Sequence, residues 1–336
     1  MKRLTQAQSE LIDAFLAEHG ARMSTAQLEK DFLISEVFSA FTAPVVFREH
    51  EAKFVLCGGT AVSKAHRFTE RISEDVDLRV IVPTGLSRSG QKRLLSHVKA
   101  EVLDRLRQQG YDIPDETVKA GNENRYIAIL LSYESLYPPD QALRPELLIE
   151  ISARSPILTP VECSYDTIVN KLLGRAERSG SIACLDIRET IAGKNAALLR
   201  RWSARLRGAG RVFELGNTRD EDIVRHIYDL ERIFEHFPRE LTDAEAGRLA
   251  RELLLQDALE FGGQDPGFRD APIERAREAL NDLAASGEAR QWYDRFTTAM
   301  VYGVIPPFDE AMGRIRTFAD AWIPSGGCPQ NHSTSK

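Results

Sequence analysis

Apolar positions along the chain follow two different periods, and the change of period divides it. Residues 5–19 put Leu11, Ile12, Phe15 and Leu16 on one side of a helix. Residues 26–41 repeat that pattern with Leu28, Phe32, Leu33, Val37 and Phe38 behind a capping Thr25, and Pro44 closes the segment. Strand-like runs follow at Phe54 to Cys57, Val76 to Val82, Tyr126 to Tyr133 (YIAILLSY) and Leu147 to Ser152 (LLIEIS). Helical spacing separates them over 61–69 and over 92–109, the second ended by Gly110. A βαβ-like start followed by antiparallel strands predicts a small mixed sheet. From Pro160 onward the pattern is almost all helical, with helices expected near 164–178, 188–208, 219–236, 242–256, 272–286, 288–301 and 308–323. Residues 324–336 carry no period and predict a disordered tail. The chain therefore reads as α+β, with N-terminal helices and a mixed-sheet core over 1–160 and an all-α domain over 161–323.

The stretch from 54 to 82, FVLCGGTAVSKAHRFTERISEDVDLRVIV, is strand, glycine turn, helix, strand. Side chains on a strand repeat with period two, so Asp75 and Asp77 point to the same side. Two neighbouring carboxylates repel unless a cation sits between them. A hard divalent ion such as Mg²⁺ suits oxygen ligands and normally brings substrate phosphates with it. Gly58 and Gly59, followed by Thr60, let the backbone approach a phosphate, and the following helix offers its free N–H groups. Each feature alone is common in proteins; their order within one unit points to nucleotide chemistry. Glu150 lies mid-strand among apolar residues, where an acid is costly to bury unless paired or metal-bound. A solvated sheet face, or a pairing with Arg154, accounts for it about as well.

GGTAVSKA…RISEDVDL resembles the GGTxLxKx…RxSxDxDL signature of the AbiEii/AbiGii-type nucleotidyltransferase toxins of type IV toxin–antitoxin systems. The resemblance implies a DNA-polymerase-β-like nucleotidyltransferase core with a helical C-terminal domain. It also implies roles: Asp75 and Asp77 as catalytic metal ligands for Mg²⁺ or Mn²⁺, and Glu150 as the third carboxylate, able to take the attacking hydroxyl's proton. Gly58, Gly59 and Thr60 would cradle the triphosphate, and Lys64, Arg71 and Ser73 occupy the motif's other polar positions on the substrate side. Further on, Lys194 and Arg201 match K-x-x-A-L-x-x-R, and RHIYDL, with Arg225, His226 and Asp229, matches R-[HD]-x-Y-D-L. In that pattern the lysine engages the phosphates and the aspartate supports the site. The acid that usually precedes the lysine is Gly193 here, and a glycine costs a helix interior up to ~1 kcal/mol, so a break or bend is expected there. Lys171, with Arg175 one turn on, stands as the rival phosphate-binding lysine.

Charge and composition then bound the setting. A net charge of −6, with 43% apolar and 28% charged residues, describes an ordinary globular protein with no global attraction for polyanions. Between Lys171 and Arg211, however, ten Lys/Arg face three acids, which suggests a local surface for RNA. Cys57, Cys163, Cys184 and Cys328 lie far apart and suggest neither a zinc site nor a disulfide framework. With no apolar leader and no run near the ~20 residues of a membrane span, a cytoplasmic protein without membrane contact is expected. The expected function is metal-dependent transfer of a nucleotide from an NTP to a hydroxyl, with a tRNA 3′ end as acceptor and an antitoxin that need not bind the toxin. A small-molecule nucleotidyltransferase and a non-enzymatic nucleotide-binding module are the alternatives.

Overall fold

The computed structural model describes residues 1–20, 22–175, 179–208, 220–263 and 265–323. Two capped helices open it. Thr5 caps α1 (Gln6–His19) and Ser24 caps α2 (Thr25–Val37), each closed into a reciprocal box by the glutamine three residues on. Gly20, at φ 53°, ends α1 in the left-handed region. Helix α2 is buried on nearly every face, so it belongs to the core of the first apolar cluster.

β1 (Val45–Phe47) and β2 (His50–Cys57) form an antiparallel pair. One helical turn, α3 (Gly58–Thr60), and a widened π turn over Ala61–Ala65 lead toward β3 (Asp75–Ile81). The helix expected over 61–69 is therefore shorter and begins at the glycines. β2 and β3 run antiparallel, which corrects the βαβ-like expectation. α4 (Arg88–Gln108), β4 (Val118–Gly121), β5 (Tyr126–Leu131) and β6 (Leu147–Ser152) follow. The region after Pro160 also departs from expectation. β7 (Val161–Tyr165), the short α5 (Ile168–Leu172) and β8 (Gly180–Cys184) replace the helix expected at 164–178, of which 176–178 lie outside the described residues. The sheet runs β4-β5-β6-β3-β2-β8-β7, with β3–β6 and β2–β8 parallel.

Helices complete the chain: α6 (Ile187–Leu206), α7 (Arg225–His236), α8 (Ala244–Glu260), α9 (Pro266–Asp270), α10 (Pro272–Ala285), α11 (Gly287–Met300) and α12 (Phe308–Asp320). α6 passes through Gly193 without a break, so the bend expected there does not occur. The expected tail at 324–336, with Cys328, lies outside the described residues. Among the described residues two large apolar clusters result, beside a small third one at Ala128 and Leu148. The first runs from Leu4 to Cys184 and takes in Met300; the second runs from Ile191 to Ile323 and takes in Val62. The first cluster thus extends through β7 and β8, which complete the sheet. Backbone bonds tie the end of α11 to the segment before β3, Ile72 N–H donating to Met300 O (2.8 Å) and Tyr302 N–H to Glu70 O (3.0 Å). No helix among the described residues is long and apolar enough to cross a membrane.

Candidate active site

β3 carries two faces. Val76, Leu78 and Val80 enter the first apolar cluster, so Asp75, Asp77 and Arg79 take the opposite face. β6 lies beside β3 in parallel, with Asp77 and Glu150 as register partners. Three carboxylates therefore meet on one sheet face. Burial is the largest influence on Asp77, and the charges of Glu150 and Asp75 add to it, pushing its pKa up to about 8. Burial likewise raises Glu150, although Tyr126 Oη donates a hydrogen bond to its Oε1. Asp75 is raised by burial against the pull of Arg225 (3.6 Å) and Arg144 (3.8 Å), and its buried Oδ1 has no hydrogen-bond partner. Such a cluster is short of positive charge.

The glycine turn lies directly against it. Gly58 adopts φ 70°, and a Cβ there would collide with Asp77 Oδ2; a Cβ on Gly59 would collide with Arg71 Nη2. The two glycines thus let a carboxylate and a guanidinium close onto the backbone of the turn. Thr60 is buried, its hydroxyl 2.5 Å from Ser73 Oγ and donating to the Asp75 carbonyl, which fixes the turn to the start of β3.

Cations approach from the helical side. Glu189, fully buried in the first turn of α6, pairs with Arg79 of β3 and accepts the N–H groups of Ile157 and Leu158 at 2.9 Å. That anchor sets α6 on the sheet and brings in Lys194 five residues later. Lys194 Nζ bonds Asp229 Oδ2 of α7 at 2.7 Å, while Arg71 grips both Asp229 oxygens at 2.7 and 2.9 Å. Burial alone would raise Asp229, but the two cations overcome it and hold its carboxyl well below the usual carboxylate range. Burial and then Lys194 and Arg201 depress the His226 pKa well below its ordinary value, so this imidazole is neutral. Arg201 also stabilises the charged form of Glu150. Arg225 bonds Glu74 (3.2 Å) and Asp222 (2.9 Å) as it reaches Asp75, and Lys30 of α2 approaches the same buried Glu74 at 3.3 Å.

Of the residues singled out in the sequence, Asp75, Asp77, Glu150, Gly58, Gly59, Lys194, Arg201, Arg225 and His226 converge on this face. Lys64 is buried elsewhere, its Nζ on Asp31 Oδ1 (2.5 Å) and Ser35 Oγ (2.8 Å). Arg71, Ser73, Thr60 and Asp229 are buried and bonded to other protein groups. The charges that act most on Lys171 are those of Glu70, Arg67, Asp31 and Lys64. Sequence reading missed Tyr126, Arg144, Glu74 and Lys30. Glu74 alone had a local signal, as a second acid beside Asp75. The basic run on α6 is different from a cationic track: Arg188, Lys194, Arg200, Arg205 and Arg207 each pair with a carboxylate. Arg178 and Arg211 lie outside the described residues.

A family model described as nucleotidyl transferase AbiEii toxin, type IV TA system, matches residues 40–314. Among solved structures, MenT4, a nucleotidyltransferase toxin of Mycobacterium tuberculosis H37Rv, aligns with a TM-score of 0.48 at 14% identity, covering 96% of this chain and 91% of that one. No curated protein matches the chain in sequence.

Proposed function

The chain belongs to the AbiEii family of nucleotidyltransferase toxins, and we propose that it moves a nucleotide from an NTP to an RNA hydroxyl at the Asp75–Asp77–Glu150 cluster. The observation that carries this reading is the register of β3 and β6, which sets Asp77 beside Glu150 with Asp75 on the same face. A hard divalent cation, Mg²⁺ or Mn²⁺, fits this oxygen donor set: Asp75 Oδ1 is buried without a hydrogen-bond partner, and the other two carboxylates are raised by burial and then by their neighbours' charge. When bound, the ion supplies charge neutralisation for the triphosphate.

The chain's own residues do the rest. The backbone of Gly58 and Gly59 lies against the phosphates, and Lys194 and Arg201 offset the charge that develops on them. Glu150, raised by burial, takes the proton of the acceptor hydroxyl as that oxygen attacks the α-phosphorus, and pyrophosphate leaves. Asp229 positions Lys194 and Arg71; Thr60 and Ser73 hold the turn; Lys64 ties the turn to α2.

Support for RNA as acceptor comes from the toxin family, not from α6, whose cations are paired with acids. Those pairs favour the second reading, a small-molecule hydroxyl acceptor. Incubating the protein with each α-labelled NTP, Mg²⁺ or Mn²⁺, and either total RNA or hydroxyl-rich small molecules separates the two. Label on RNA 3′ ends is expected; label on small molecules alone would replace the RNA reading, and no transfer to either would remove the proposal.

A further inference from the structure

Away from the carboxylate cluster, three further metal-binding side chains meet. We propose that His66, Cys163 and Cys184 form a Cys₂His site for a zinc ion. Their donor atoms all lie within 4.8 Å of one another, a grouping found among the described residues without any local motif. They come from three places: His66 follows the π turn behind the glycine cradle, Cys163 is on β7, and Cys184 is on β8. The expectation of no zinc site rested on sequence spacing, which the sheet overrides by folding β7 onto β8 and pairing Cys184 with Leu56 of β2.

Three features favour a metal over an incidental cluster. First, His66 is already oriented for coordination. Its Nε2 faces the Leu185 carbonyl at 2.9 Å and must donate to it, so the lone pair of the neutral ring sits on Nδ1. Backbone anchoring of the non-ligating nitrogen is how metal-bound histidines are commonly fixed. Second, that Nδ1 faces Cys163 Sγ at 3.9 Å. Tetrahedral zinc holds its ligand atoms roughly 3.6–3.8 Å apart, so only a small contraction is needed. A thiol–imidazole hydrogen bond and a contact between the Cys163 and Cys184 thiols would each account for one pair, whereas a shared ion accounts for all three donors together. Third, two sulfurs and one nitrogen with no carboxylate select a soft or borderline ion, the opposite preference to the oxygen cluster.

Cys184 is buried while His66 and Cys163 are half-buried, leaving a solvent side for entry and for a water as fourth ligand. Binding releases the thiol protons to solvent. The ion would clamp the β7–β8 pair to the turn that begins with Gly58 to Thr60. The ion would act on the position of that turn, at one remove from the chemistry.

Co²⁺ titration of the reduced full-length protein tests this, because thiolate-to-cobalt charge transfer reports cysteine ligation and is silent for a carboxylate site. Wild type is expected to show the near-ultraviolet band, to lose it on Zn²⁺ addition, and to carry stoichiometric zinc when purified without chelators. Cys163→Ser and His66→Ala should lose or weaken the band, whereas Cys57→Ser and Asp77→Asn should keep it. Absence of the band in wild type, or a band unchanged in Cys163→Ser, overturns the proposal, as does a Cys163–Cys184 disulfide in protein isolated under reducing conditions. Since the band does not depend on nucleotide transfer, its absence would leave the function above untouched.

Discussion

At the scale of single residues, the site depends on groups that bear on one another more than on any ligand. Gly58 sets the closest approach. A methyl group there meets the Asp77 carboxylate, and φ 70° disfavours any L side chain by roughly 1–2 kcal/mol. Gly58→Ala is expected to cut transfer by about 100-fold, the cost of an ångström-scale displacement of a reacting group. Circular dichroism and a labelled-NTP assay check this, and near-normal activity would mean that Asp77 is not held by the turn. Asp229 is the corresponding test on the helical side. Asp229→Asn leaves Arg71 and Lys194 buried against a neutral amide, a loss of about 3–5 kcal/mol measured by urea unfolding. Because its folded pKa is depressed, the wild-type contribution is complete at neutral pH and fades only in strong acid.

At the scale of elements, the strands that carry the three acids were legible and their neighbours were not. β3 and β6 announce themselves because alternate residues are apolar and buried while acids interrupt the other face. β7 gives no such signal: of Val161–Tyr165 only Tyr165 is buried, so an edge strand lacks the period that would reveal it. The same blindness hid the cysteine–histidine cluster. Tyr126 was missed because β5 reads as plain apolar strand, and its bond to Glu150 exists only through the β5–β6 pairing. That bond favours the ionised carboxylate. Tyr126→Phe should therefore raise the Glu150 pKa further and move the acid limb of the kcat–pH profile to higher pH, with little change in stability. An unmoved limb would take Glu150 out of the proton transfer.

At the scale of the whole molecule, the sequence motifs pick out acids and cations that the fold gathers on one sheet face, while the charge balance around them required the fold. Ten basic residues counted along the chain predicted a cationic surface; α8, α9 and α11 answer with Asp257, Asp265 and Glu288. With the proposed cation at this cluster, metal, pH and stability are linked. The folded protein without metal holds a proton on Asp77 up to about pH 8, far above the unfolded value near ~3.9. Over that window the folded state binds more protons, so stability without metal should fall as pH rises. Cation affinity should rise over the same range, by up to about tenfold per pH unit. Thermal unfolding at pH 6 and 8.5, with and without Mn²⁺, checks both trends, and Asp77→Asn should flatten them. The most direct test compares wild type with Asp77→Asn in transfer of α-labelled NTP to total RNA in the presence of Mg²⁺. Wild type is expected to label RNA and release pyrophosphate, and a variant that unfolds like it to do neither. Equal labelling by the two proteins would contradict the proposed function.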